Sequence, residues 1–301
     1  MNKVSNLFFV AFIALSVNVF AQNDIKLNLE VGSTYTLSQE TKSIVNQMIN
    51  GMPQDVEMTI NAVTDYKVTG MNGKNFLIDI EPKSMKTTQN AGGMNLVMDS
   101  EGDLSDPMNK IMSNLVGKVM KMEVTPYGEI TMFNANDFVK GMMDGVDMPA
   151  MALSQLEGQL ASEYDDASLK DTYLGLLNIY PNKKVAIGDS WTTDLSADVV
   201  MPMTSTATNT LMEIKDGMYV IESKADISSD ESEKTEMMGM QATSDIEGTS
   251  NTTYSIDRKT GWIKKMSMTQ DLDGTVTLPA SEQMPQEMKI KMKIKNTTTI
   301  K

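Results

Sequence analysis

The 301-residue chain contains no cysteine and no histidine. Without cysteine it has no disulfides, so its own core must hold it together. Without imidazole or thiolate, Ser-His-Asp catalysis, Cys-His catalysis and the usual zinc sites are excluded. Only carboxylate chemistry survives as an enzymatic option. Aromatic residues make up just 6% of the chain. Basic residues are outnumbered, 26 against 40 acidic, for a net charge of −14. Such a chain repels nucleic acid phosphates and anionic membrane surfaces. After residue 21 no apolar run reaches the length of a transmembrane helix, so no transmembrane segment is expected.

What the sequence does have begins with a targeting segment. Lys3 precedes an uncharged apolar run, Leu7 to Leu15, and Val19-Phe20-Ala21 has the character of a cleavage site. Residues 1–21 read as a secretory signal peptide cut near Ala21. The mature protein is then expected in the periplasm or the extracellular medium. Its charge falls to −15, because the removed segment holds one Lys and no acid.

Two stretches echo each other. Val185-Ala186-Ile187-Gly188-Asp189-Ser190-Trp191-Thr192 matches Leu29-Glu30-Val31-Gly32-Ser33-Thr34-Tyr35-Thr36 in pattern. Each places an aliphatic residue before a Gly, then two small polar residues, an aromatic and a Thr. Hairpin signals follow both, at Asn72-Gly73 and at Asp216-Gly217. Met94 to Gly102 resembles Met240 to Gly248, and Tyr127-Gly128 resembles Thr260-Gly261. Pro82 is expected to end its strand, and a helix capped at Ser105-Asp106 is expected from Pro107. Further helices are expected over 137–143 and along two leucine-bearing stripes before Pro181. Met288, Ile290, Met292 and Ile294 alternate with Lys289, Lys291, Lys293 and Lys295, which is strand periodicity.

These patterns predict an α+β protein, predominantly antiparallel β. It has two similar β-units, an internal duplication, with helices inserted between them. Residues 22–133 form the first unit, 134–180 a helical connection and 181–301 the second unit, over one shared core.

Methionine is the anomaly of composition, at 29 residues. Thioethers fill irregular apolar space and are also soft ligands suited to Cu(I). Met120/Met122, Met201/Met203 and Met266/Met268 are spaced two apart, on one face of a strand, and Met237-Met238-Gly239-Met240 is of similar kind. The residues weighed as metal ligands are Met201, Met203, Met266 and Met268, although the same spacing describes a buried strand face. Glu163-Tyr164-Asp165-Asp166 offers acids for glycoside hydrolysis. Asp99 to Asp103 offers oxygen ligands close together, as a calcium loop would. Both sit where solvated acids are common, as does the acidic run of Asp226, Asp230, Glu231, Glu233 and Glu236. Trp191 reads as a core anchor.

Pro181-Asn182-Lys183-Lys184-Val185-Ala186-Ile187-Gly188-Asp189-Ser190-Trp191 resembles a pattern in exported bacterial proteins known as a domain of unknown function. The resemblance extends to the Gly32 strand, the Met-rich middle and the turn at Gly128, and it implies no catalytic residue. A curved antiparallel sheet backed by helices is also similar, at the level of fold, to periplasmic lipoprotein carriers. The expectation is an exported, non-enzymatic protein without a cofactor. Its Met-rich interior binds an apolar ligand or an envelope partner. The alternatives are a structural or assembly protein of the envelope with a filled core, Met-based copper binding, and a carboxylate-only hydrolase.

Overall fold

The computed structural model describes residues 22–49, 51–197, 202–229, 234–237, 240–280 and 286–301. The signal-like segment 1–21, Met201, Asp230, Glu231, Glu233, Met238 and Gly239 lie outside the described residues. The first strands are β1 (Thr34–Ile49), β2 (Met52–Asn72), β3 (Asn75–Ala91) and β4 (Met94–Asp99). Helix α1 (Pro107–Leu115) follows, then β5 (Met120–Val124) and β6 (Ile130–Asn134). Three helices come next: α2 (Asn136–Val139), α3 (Ala150–Glu163) and α4 (Asp166–Leu177). The chain ends with β7 (Ser190–Ala197), β8 (Met203–Lys215), β9 (Met218–Ser229), β10 (Thr235–Met237), β11 (Met240–Asp257), β12 (Ile263–Leu278) and β13 (Met288–Ile300).

The strands form one antiparallel sheet in the order β6-β5-β3-β2-β1-β13-β12-β11-β9-β8-β7, with β4 added to β3 and β10 to β11. Eleven strands laid flat would span about 50 Å at the usual spacing of neighbours. Yet one buried cluster draws side chains from both end strands and from those between, including Ile130 of β6, Ile78 of β3, Ile300 of β13, Ile256 of β11 and Trp191 of β7. The sheet must therefore curl. Its end strands β6 and β7 are not paired with each other, and α4 packs against both. Asp166 at the start of α4 accepts from the Ala135 backbone N–H at 2.6 Å, beside the end of β6. Asn178, just past the other end of α4, donates to the Asp194 carbonyl of β7 at 2.8 Å. Tyr173 reaches across to Tyr66 of β2 and stacks on Phe133 of β6. The result is an open barrel whose gap is filled by a helix at one end, here termed proximal.

Residues 22–29 complete the proximal end. Leu27 N–H donates to the Pro126 carbonyl and Asn28 N–H to the Thr260 carbonyl, both at 2.8 Å. The segment thus threads between the two turns that begin β6 and β12. Those turns need glycine. Gly128 and Gly261 have φ of +85° and +67°, and a Cβ on Gly261 would lie 1.9 Å from the Lys26 carbonyl oxygen.

Several local expectations change in the structure. Pro82 does not end β3, which continues to Ala91. It pairs with Thr64 at a register shift between Val63 and Thr64, the kind of ladder irregularity where proline is tolerated within a sheet. At the first hairpin, Asn72 pairs with Asn75, so the turn residues are Gly73-Lys74 rather than Asn72-Gly73. The second hairpin turns at Asp216-Gly217, both at positive φ, which matches the right-handed twist of its strands. Gly102 lies in a turn before α1, whereas Gly248 lies inside β11, so this pair does not occupy equivalent turns. Residues 100–119 separate β4 from β5 along β3, while β11 runs unbroken along β9. The helix expected over 137–143 is the short α2.

Candidate functional site

Paired residues on neighbouring strands share a face, so burial and register together identify the inner face of the barrel. Its proximal part is a filled core. Tyr35 stacks on Trp262 with ring centroids 5.1 Å apart, and Tyr66 tilts against the same ring. The Trp262 indole N–H is buried without a hydrogen-bond partner among the described residues. Trp191 is buried and donates to the Ile179 carbonyl at 3.0 Å, as a core anchor should. Tyr180 donates to the Gly261 carbonyl at 2.8 Å. Burial pushes the hydroxyls of Tyr66, Tyr173 and Tyr180 far up, and that of Tyr254 to about 12.

Moving away from the core, the next two rungs of the inner face are polar. One rung carries Thr87, Thr41, Thr298, Thr252, Ser223 and Asn209, with Ile60 and Met268 among them. The next carries Gln89, Ser43, Asn296, Gln270 and Ser250, with Met58 among them. Within this belt Thr41 and Thr298 share a hydroxyl bond at 3.0 Å, and Asn296 Nδ2 donates to Gln270 Oε1 at 2.6 Å.

Beyond the belt the inner face is mostly apolar, with Gln47, Gln54, Ser205 and Ser244 interspersed. On the β9, β11 and β12 side, Ile227, Ala242, Ile246, Leu272, Val276 and Leu278 are buried together, flanked by Met203, Met240, Met288, Ile290, Met292 and Ile294. On the β1 and β2 side, Val45, Ile49 and Val56, with Met58 of the belt beside them, are only half-buried and belong to neither buried cluster. Met52 and Met94 at the hairpin tips are exposed. Among the described residues, no Asp, Glu, Lys or Arg occupies the inner face of β1–β4, β7–β9 or β11–β13 along these rungs. The charges lie outside. Lys289, Lys291, Lys293 and Lys295 are exposed, and Lys293 pairs with Asp273 at 2.9 Å. A trough of about 750 Å³ crosses this outer face, bordered by Thr204, Thr206, Asp226, Glu247, Asp271, Asp273, Lys293 and Lys295.

Of the Met residues weighed as copper ligands, Met201 lies outside the described residues, and Met203 is not brought to the pair Met266 and Met268. Met266 is buried in the proximal core and Met268 packs on it. Met203 borders the distal cluster. It is level with Gly274, six residues along β12 from Met268, or about 20 Å. The weighed carboxylates hold backbone. Asp165 caps α4 through Ser168 N–H, and Asp166 takes Ala135 N–H. Asp99 accepts Glu101 N–H and pairs with Lys86 at 2.8 Å, which holds its carboxyl below the ordinary range. Among the described residues no group of three acids could hold a metal ion. The polar belt was not anticipated from sequence. Its only signal is the phase of Ser, Thr, Asn and Gln within each strand.

Fold and site together define an open antiparallel β-barrel with an uncharged inner face. The chain belongs to the family of unknown function DUF6263, whose model matches residues 73–263. No curated protein matches it. Among solved structures, one of lipid–protein interactions in lipovitellin is 9% identical with a TM-score of 0.42; the match covers 89% of this chain but spans only 25% of that one. An outer membrane channel from Pseudomonas putida F1 is 7% identical, with 91% and 97% of the two chains covered and a TM-score of 0.25. The translocator domain of the autotransporter NalP from Neisseria meningitidis is 6% identical, with 90% of each chain covered and a TM-score of 0.20. Among the described residues no helix is long and apolar enough to cross a membrane.

Proposed function

We propose that this is an exported, non-enzymatic binding protein that holds an apolar ligand along the distal inner face of the barrel. The observation that carries this reading is the half-buried surface of Val45, Ile49, Val56 and Met58, which adjoins the Met-flanked distal cluster on the same face of the sheet. Apolar surface left half-exposed is stabilised when a ligand removes it from water. Methionines around such a surface adapt to ligands of differing shape. The outer face carries Lys, Asp and Glu at the same level, which disfavours a bilayer around the sheet. An envelope protein at this face, or a purely structural role, is the competing reading. The test is titration of the full chain with the neutral fluorophore N-phenylnaphthylamine. Saturable binding is expected, weakened by Met58→Asp and Met292→Asp but not by the outward Thr59→Asp. Absence of saturable binding to the wild type would refute the proposal.

We further infer an internal duplication, with 22–133 and 181–301 as its two units, 134–180 as the connection, and one shared core. In support, Gly32 N–H donates to Val68 O and Gly188 N–H to Leu211 O, both at 2.8 Å. Val68 and Leu211 N–H donate back to Ser33 O and Asp189 O. Each is followed by a register shift and a hairpin. The order β6-β5-β3-β2-β1 recurs as β12-β11-β9-β8-β7, with β13 between them. Superposing the units on these bonds should bring Gly128 onto Gly261, and failure to do so would count against a common origin.

A further inference from the structure

We infer that the ligand of this face is an amphiphile with an uncharged polar head, such as a monoacylglycerol, rather than a fatty acid anion or a pure hydrocarbon. The inference rests on the proposed binding of an apolar ligand and specifies its chemistry. The inner face is layered, with a belt of hydroxyls and amides and, distal to it, a mostly apolar surface that includes the Gln47–Gln54 pair. The belt has hydrogen-bonding capacity to spare. Asn296 and Gln270 spend one donor and one acceptor on each other. Gln270 Nε2 and Asn296 Oδ1 are left without a protein partner among the described residues. Gln47 and Gln54 bond in the same way further out on the inner face, level with Met292, with Nε2 to Oε1 at 3.2 Å. If both amides are turned over together, the pair still leaves one donor and one acceptor. A head group with hydroxyls and an ester carbonyl can use both kinds of site. A carboxylate would have to be desolvated with no cation on the face to receive it. An alkane would leave the amide groups covered and unpaired.

The experiment is competition against bound N-phenylnaphthylamine with three ligands of one chain length: monolaurin, laurate and dodecane. At pH 8 monolaurin should displace the fluorophore at a concentration at least about tenfold below laurate and dodecane, a difference of about 1.4 kcal/mol. Laurate should gain as the pH is lowered toward 5, because protonation removes its charge. Gln270→Lys should reverse the order in favour of laurate. If that variant does not fold, Gln89→Lys, on the half-exposed side of the belt, serves the same purpose. Laurate equal to or better than monolaurin at pH 8 overturns the inference while leaving apolar binding intact. Dodecane equal to monolaurin also overturns it, by showing that the belt takes no part. No binding of the fluorophore by the wild type overturns both this inference and the function it rests on.

Discussion

Replacing Trp191 by Ala should destabilise the protein by about 3–5 kcal/mol, the range seen when a large aromatic is deleted from a packed core. Trp191 is 7% exposed and packs in the proximal cluster. A buried indole removes about 200 Å² from water, worth up to about 5 kcal/mol at 25 cal/mol per Å². Compactness of the unfolded chain lowers that figure. The Ile179 carbonyl, itself buried, would lose its donor, at a cost of about 1–3 kcal/mol if water cannot reach it. Trp191→Phe separates the two contributions. It keeps most of the area and loses the hydrogen bond, so about 1–3 kcal/mol is expected. Urea unfolding followed by circular dichroism reads both values. A loss below about 1 kcal/mol for Trp191→Ala would show that β7 and the 177–185 segment are not held by this anchor.

Stability should be flat through neutral pH, because the chain has no histidine to titrate there. It should fall below about pH 4, since hydrogen bonds from Lys26 to Asp24, Lys86 to Asp99 and Asn75 to Glu123 hold those carboxyls below their unfolded values, and protonation forfeits that stability. It should fall again above about pH 10, where unfolded tyrosines ionise but Tyr66, Tyr173, Tyr180 and Tyr254 resist; thermal melts across pH check both limits. Gly261→Ala should destabilise by more than about 1 kcal/mol, because its Cβ meets the Lys26 carbonyl at positive φ, and limited proteolysis should then release the 22–29 segment. Joint Met→Leu changes at Met203, Met266 and Met268 should leave the fold and fluorophore binding in place, with no change in Cu(I) affinity in a chelator competition.

The strands were legible because period-two alternation is a local property. Met288 to Lys295 shows it without exception, and β13 lies between β1 and β12 with Ile290, Met292 and Ile294 inward and the lysines outward. The turns at Gly128, Gly217 and Gly261 were legible because positive φ selects glycine. The curl of the sheet entered only through a fold-level resemblance and not through any residue pattern, since it depends on α4 and residues 22–29 meeting strands far away in sequence. Pro82 misled for the same reason. A proline ends a strand only where its missing N–H is needed, and that depends on the register of a partner. For the site, the sequence suggested an apolar Met-rich interior but not the polar belt. Thr298, Gln270, Thr41 and Asn209 look like ordinary strand residues until cross-strand pairing aligns them into rungs. The Met-x-Met spacing pointed to a shared face, yet a shared face along a strand does not bring Met203 near Met268.

The central claim is that the distal inner face is the binding surface. Photolabelling the full chain with a monoacylglycerol that carries a diazirine in its acyl chain, followed by mass spectrometric mapping, tests it most directly. Labels are expected on Val45, Val56, Met58, Ile290 and Met292, competed away by unlabelled monolaurin. Labels confined to the outer face, or insensitive to the competitor, would contradict it.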